Sequence, residues 1–160
     1  MAFKLSSSAF ANNEKIPLRY SRDGEDLSPP LAWEGLPEGT LELALICDDP
    51  DAPTPAPWVH WIIYGLRPEL KALPEGIPVL KEISDPLKAR QGENSWGKEG
   101  YGGPAPPRGH GPHHYHFTLY ALSKRLALPP KPDKVDKDRL LKAIQGAVIA
   151  KTTLTGIYER

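Results

Sequence analysis

The strongest constraint on this chain is a pair of strand-period segments joined by a stretch that cannot be helical. Leu41, Leu43, Leu45 and Cys47 alternate with Glu42, Ala44 and Ile46, the pattern of a strand with one strongly apolar face. A second segment follows, with Trp58, His60, Ile62 and Tyr64 expected on one face and Val59, Trp61 and Ile63 on the other. Between them, Pro50, Pro53, Pro55 and Pro57 recur too closely for a helix. A βαβ unit needs a helix between its strands, so that arrangement is excluded here. The parity of the first strand continues to Asp49, which puts a carboxylate at the open end of a buried face. Polar groups at strand ends, beside proline-stiffened loops, are the raw material of a small binding site.

The rest of the chain reads in the same style. His113 to Leu122 is a third strand, with His113, Tyr115, Phe117, Leu119 and Ala121 on its core face and His114 and His116 on the other. The segment Leu27 to Trp33 is not expected to be a central strand, because Pro29 and Pro30 lack donors. Gly92 to Gly111 holds seven glycines and three prolines and reads as a long functional loop. Pro129 to Pro132 breaks the chain. Asp136 is placed as the N-cap of a helix over about Lys137 to Ile149, and Thr152 to Tyr158 as the closing strand. The expected fold is mainly β, a β-sandwich with one late α-helix and long proline-rich loops, in a single domain over residues 1–160.

Composition removes several classes of function. Twenty basic residues balance twenty acidic ones, which argues against a nucleic-acid binder relying on a general basic field. Cys47 is the one cysteine, so no internal disulfide forms; its core-facing place suggests structural burial rather than reactivity. No apolar run approaches the roughly 20 residues of a membrane helix, and a cytoplasmic location is expected. There is no GxGxxG, Walker A, HExxH, CxxC or GxSxG pattern.

Taken residue by residue, Asp48, Asp49 and Asp51 suit ordinary turn chemistry. Only Asp49 stands out, through its inward parity. His60 on an apolar strand suits a satisfied core histidine, although its place at the loop edge favours a site. His110, His113, His114 and His116 form a histidine-rich tract. Asp49, His60 and His113 could supply three metal ligands, but no pattern supports a metal, and none is assigned.

The motifs resemble those of the phosphatidylethanolamine-binding proteins, or Raf kinase inhibitor-like proteins, and especially their short bacterial branch. Asp49-Pro50-Asp51-Ala52-Pro53 and Trp58-Val59-His60-Trp61 are similar to the first signature region. Tyr101-Gly102-Gly103-Pro104-Ala105-Pro106-Pro107, followed by His113-x-Tyr115, is similar to the second. The resemblance implies a Greek-key β-sandwich with an anion pocket formed by Asp49, Trp58, His60, Ala105, His113 and Tyr115. It also implies a cis peptide at Ala52-Pro53 or Ala56-Pro57. Where the family usually carries Arg, this chain has His114, which puts any permanent ion pair there in doubt. The chain ends right after its last strand pattern, whereas longer members add a C-terminal helix near the pocket, so a more open pocket is expected.

The function expected on this basis is non-enzymatic binding of a phosphorylated or anionic small group, such as a phospholipid headgroup or a phosphate-bearing ligand, without a cofactor. Two imidazoles and a phenol would donate to its oxygens. A role as regulator of a protein partner, and a homodimer, are both compatible with it. The alternative is a hydrolase using His60 or His113 as base, with or without metal, although no nucleophile is evident.

Overall fold

A computed structural model describes residues 1–126, 128 and 134–160. Two sheets form the sandwich. The larger orders seven strands as β2 (Glu14–Lys15), β10 (Val148–Tyr158), β9 (His113–Leu122), β4 (Glu42–Asp49), β5 (Trp58–Leu66), β8 (Ala89–Gln91) and β7 (Glu82–Ile83). The smaller orders β1 (Lys4–Ser6), β3 (Leu31–Glu34) and β6 (Ala72–Leu73). The cores lie on both faces of the larger sheet. Leu43, Leu45, Cys47, Trp61, Ile63, Phe117 and Leu119 meet Leu5, Leu31, Trp33 and Leu73 of the smaller sheet. Ala44, Ile46, Val59, Ile62 and Tyr64 meet Leu140 and Ile144 of the helix α1 (Lys137–Ile144). Burial of each such Leu or Ile contributes about 1.5–3 kcal/mol, so two-sided coverage makes β4 and β5 the anchor of the fold.

Strand polarity places the site. β4 is antiparallel to both β5 and β9. The end of β4 and the starts of β5 and β9 therefore meet at one edge of the sandwich, which brings Asp49, Trp58 and His113 together.

Several expectations are corrected by the tertiary contacts. Leu41 precedes β4 and is exposed, because the strand enters the sandwich only at Glu42. Leu27 to Trp33 does contribute a central strand: the ladder starts at Leu31, after both prolines, and β3 lies between β1 and β6. The helix stops at Ile144. Gly146 then takes a left-handed φ of 75° that reverses the chain, and Val148 and Ile149 begin β10 instead. Asp136 caps α1 as expected, its Oδ1 accepting from Arg139 N at 2.9 Å. The break at Pro129 to Pro132 lies outside the described residues.

The loop from Asp49 to Trp58 is trans throughout, and the cis peptide among the described residues is Asp85-Pro86. Side chains shape the loop instead. Asp49 Oδ1 accepts from Asp51 N at 2.8 Å, and Thr54 Oγ1 donates to Ala56 O at 2.5 Å.

Candidate functional site

A β-bulge sets the position of His60. Cys47 pairs with Trp61 and Asp48 with Val59, so His60 has no opposite residue on β4. The extra residue breaks the alternation expected for β5. Val59 and Ile62 face the helix, while Trp61 faces the core between the sheets. His60 turns to the same side as its neighbour Trp61 and packs edge-on against Tyr115, with ring centres 5.0 Å apart. Without the bulge, His60 would follow Ile62 and Tyr64 to the helix side.

The loop over residues 92–111 closes the site and is tied down along its length. Ser95 N donates to Val59 O, and Gly102 N to His60 O. Gly103 N donates to Asp26 Oδ1 at 2.7 Å, and the Tyr101 hydroxyl to Tyr20 O at 2.6 Å. These bonds satisfy loop groups that burial would otherwise leave unpaired.

The result is a cavity of about 240 Å³ lined by Asp49, Trp58, His60, Ala105, His113 and Tyr115 together with Ala52, Pro53, Thr54, Trp96, Pro106 and Pro107. All six residues named from the sequence lie on it. Trp96 was not foreseen. Its ring stands edge-on to Trp58 at 5.5 Å and to His60 at 5.0 Å, and the Arg22 guanidinium stacks 4.1 Å from its centre. Trp96 lies in an irregular loop, where no periodicity tells which way a side chain faces.

Each polar group has a definite state. His60 is 3% exposed, and its Nδ1 lies 2.6 Å from Gly102 O. A carbonyl only accepts, so Nδ1 carries the proton. Burial pushes the His60 pKa down to about 4, outweighing the Gly102 bond and the Asp49 charge that favour protonation. Burial, followed by the Asp49 charge, also raises the Tyr115 phenol far above its usual range, so it remains a donor. His113 Nδ1 donates to Asp49 Oδ2 at 2.6 Å, a pair that is almost fully buried. Its Nε2 lies 2.6 Å from Nδ1 of His110, an exposed loop residue. Asp49, His113 and His110 thus form one continuous chain running from the interior to the surface.

The remaining histidines stand apart. His114 holds Asp51 through its Nδ1 at 2.7 Å and its backbone N at 2.8 Å. Burial raises the Asp51 carboxyl, but these bonds outweigh it and keep the group below the usual range. His116 bonds Thr155 Oγ1 at 2.8 Å. Cys47 is buried in the core between the sheets, and burial first, then the charges of Asp48 and Asp49, raises its thiol well above normal; it is a packing residue rather than a nucleophile. Among the described residues, no helix is long and apolar enough to cross a membrane.

Comparison with known proteins agrees with this architecture. Residues 6–159 match the family model described as phosphatidylethanolamine-binding protein. A UPF0098 protein of Pyrococcus horikoshii is 46% identical over 160 residues, covering 100% of this chain and 78% of that protein. The crystal structure of a phosphatidylethanolamine-binding protein homologue from Chlamydia trachomatis superposes with a TM-score of 0.87 at 37% identity, covering 99% of this chain and 98% of the other. Escherichia coli YbcL, described as a member of the mammalian family, gives a TM-score of 0.90 at 30% identity, covering 100% and 99%.

Proposed function

This chain belongs to the phosphatidylethanolamine-binding protein family, and we propose that its cavity binds a small phosphorylated or otherwise anionic group. One observation carries the reading. Four separate segments deliver Asp49, His60, Ala105, His113 and Tyr115 to one small cavity whose other walls are mostly Trp and Pro. Its volume of about 240 Å³ lies below the roughly 300–1,000 Å³ usual for larger ligands, which suits a headgroup-sized molecule. The Tyr115 hydroxyl, which has no hydrogen bond among the described residues, lines the cavity as a ready donor. His113 Nε2 becomes a second donor when an anion replaces His110 as its neighbour. The buried Asp49 carboxylate holds the His113 ring through Nδ1 and leaves Nε2 as its edge toward such a ligand.

We read the site as one for binding rather than turnover. The carboxylate is engaged with His113 and with the Asp51 backbone, and the nearby thiol is sealed. A cytoplasmic location and a phosphate-bearing protein partner are further parts of this proposal. The experiment is calorimetric titration with methyl phosphate at about pH 5.5, where phosphate carries a single charge, in wild type and Tyr115→Phe. That substitution removes one donor and leaves the ring. A loss of about fivefold in affinity is expected for one hydrogen bond of about 1 kcal/mol. Equal affinity of the two proteins would remove Tyr115 from the site.

A further inference from the structure

We infer that a second cavity, at the opposite end of the sandwich, binds a free amino acid, with Glu42 taking its ammonium group and Arg125 its carboxylate. The two cavities share no residue, so this site stands or falls independently of the anion-binding reading.

The antiparallel order that gathers one set of strand ends also gathers the other. The start of β4 and the ends of β5 and β9 meet at the far edge of the sheet, around a cavity of about 340 Å³. A second bulge shapes it. Leu43 pairs with Leu66 and Leu45 with Ile63, so Tyr64 and Gly65 together oppose Ala44. Gly65 takes a left-handed φ of 73°, a conformation that glycine adopts without a steric cost. Its N–H bonds the Glu42 carboxylate.

Glu42 is buried yet thinly partnered. It is 8% exposed. Both of its oxygens share the one N–H of Leu126, each at 3.3 Å, which is long for a bond to a carboxylate. Gly65 supplies the other donor, and no ion pair reaches Glu42 among the described residues. A carboxylate has about four acceptor sites, so capacity remains on the side that lines the cavity. Burial outweighs the two backbone bonds and the Arg125 charge and raises the carboxyl to about 6. Such a group gains from a cation that brings its own N–H donors.

The other walls narrow the ligand. Arg125 is exposed and acts on Glu42 through its charge, and its guanidinium has no hydrogen bond among the described residues. Arg67 is less available, because one of its nitrogens donates to Pro86 O at 2.7 Å. Arg67 and Arg125 are balanced around the cavity by Glu42 and Glu69. Across Tyr64, whose phenol burial holds uncharged, lie Arg90 of β8 and Arg139 of α1. A simple cation is repelled by the arginines, and a simple anion by the carboxylates. A molecule that carries both charges a few bonds apart meets both, and Leu41, Leu66 and Pro68 offer an aliphatic side chain a wall.

Chemical-shift titration of isotope-labelled protein tests this at about pH 7, where an α-amino group is charged. L-Leucine carries both groups, leucinamide only the ammonium and N-acetylleucine only the carboxylate. Leucine should shift the Gly65 and Leu126 amides to saturation and leave those of Gly102 and Gly103, at the other cavity, in place. Each truncated probe should bind at least about tenfold more weakly, for the loss of one charge-assisted hydrogen bond. An ammonium group stabilises the ionised carboxyl, so ligand lowers the Glu42 pKa from its free value of about 6. Affinity for leucine is therefore highest above that value and declines as pH falls through it, by up to about tenfold per pH unit. Glu42→Gln should abolish the decline, and Arg125→Gln should bring leucine down to the level of leucinamide. The probe comparison and the pH course need only wild type, so they stand even if Glu42→Gln does not fold. Leucinamide or N-acetylleucine matching leucine, a flat pH course, or Gly65 and Leu126 amides that ignore leucine would each overturn the inference.

Discussion

His113 Nδ1 lies 2.6 Å from Asp49 Oδ2, and both side chains are almost wholly removed from water. A buried pair of this kind contributes little against an apolar replacement, yet removing one partner strands the other, at a cost of about 3–5 kcal/mol. Asp49→Ala should therefore unfold at markedly lower denaturant. Asp49→Asn keeps one oxygen acceptor, for His113 or for the Asp51 backbone, and turns its NH2 toward the other donor, so it should lose less than Asp49→Ala but not be neutral. Urea unfolding of the two variants checks this; equal losses would show that the charge, rather than the bonding geometry, sets the stability.

His110 occupies the one ring nitrogen of His113 that an anion could use. His110→Ala should free that nitrogen and raise affinity for methyl phosphate by about fivefold, the worth of a contact of about 1 kcal/mol that no longer has to be exchanged. His110 is exposed, so stability should hardly change. Calorimetry decides the point: weaker binding in the variant would make His110 a ligand contact instead.

Acid should destabilise the fold through His60. Its folded pKa, about 4, lies below the unfolded value of about 6.5. Between these values the unfolded state binds more protons, so stability is fully present above the unfolded pKa and is lost as pH falls toward 4. The shift corresponds to about 3 kcal/mol. Glu42 works in the opposite sense, because burial raises its carboxyl to about 6. Comparing wild type with His60→Gln cancels that contribution. The variant should show a visibly shallower loss of unfolding free energy between about pH 6.5 and 4; parallel curves would mean that His60 does not titrate in this range.

Gly102 holds the site wall. Its nitrogen donates to His60 O, its carbonyl accepts from His60 Nδ1, and a Cβ there would lie 2.5 Å from the Trp96 ring. Gly102→Ala should push Trp96 off both His60 and Arg22. The expected result is a changed tryptophan emission and a loss of about 1–3 kcal/mol in stability, as for overpacking. Unchanged emission would show that the ring moves aside without cost.

Much of the site could be read from periodicity because it sits where regular strands end. β4 alternates without a break from Leu43 to Asp49, and β9 from His113 to Ala121, so Asp49, His113 and Tyr115 follow directly from parity. His60 does not. Strict alternation sends it to the helix side, and its place in the cavity depends on a bulge created by pairing with β4. Trp96, Arg22 and His110 were hidden for another reason: irregular loops have no period from which a side chain's direction can be read.

The sequence alone determined the alternating strands, the helix cap at Asp136, the absence of a βαβ crossover, and the chemical types gathered at the sheet edge. These follow from local sterics and side-chain patterning, which act within a few residues. Only the tertiary structure decided what those groups can do. The loop bond from Gly102 chooses the His60 tautomer, burial by Trp96 and Tyr115 keeps that ring neutral, and Asp49 and His110 engage His113 from opposite sides. The protonation and hydrogen-bonding state of a side chain depends on the dielectric and partners around it, and residues far along the chain supply both.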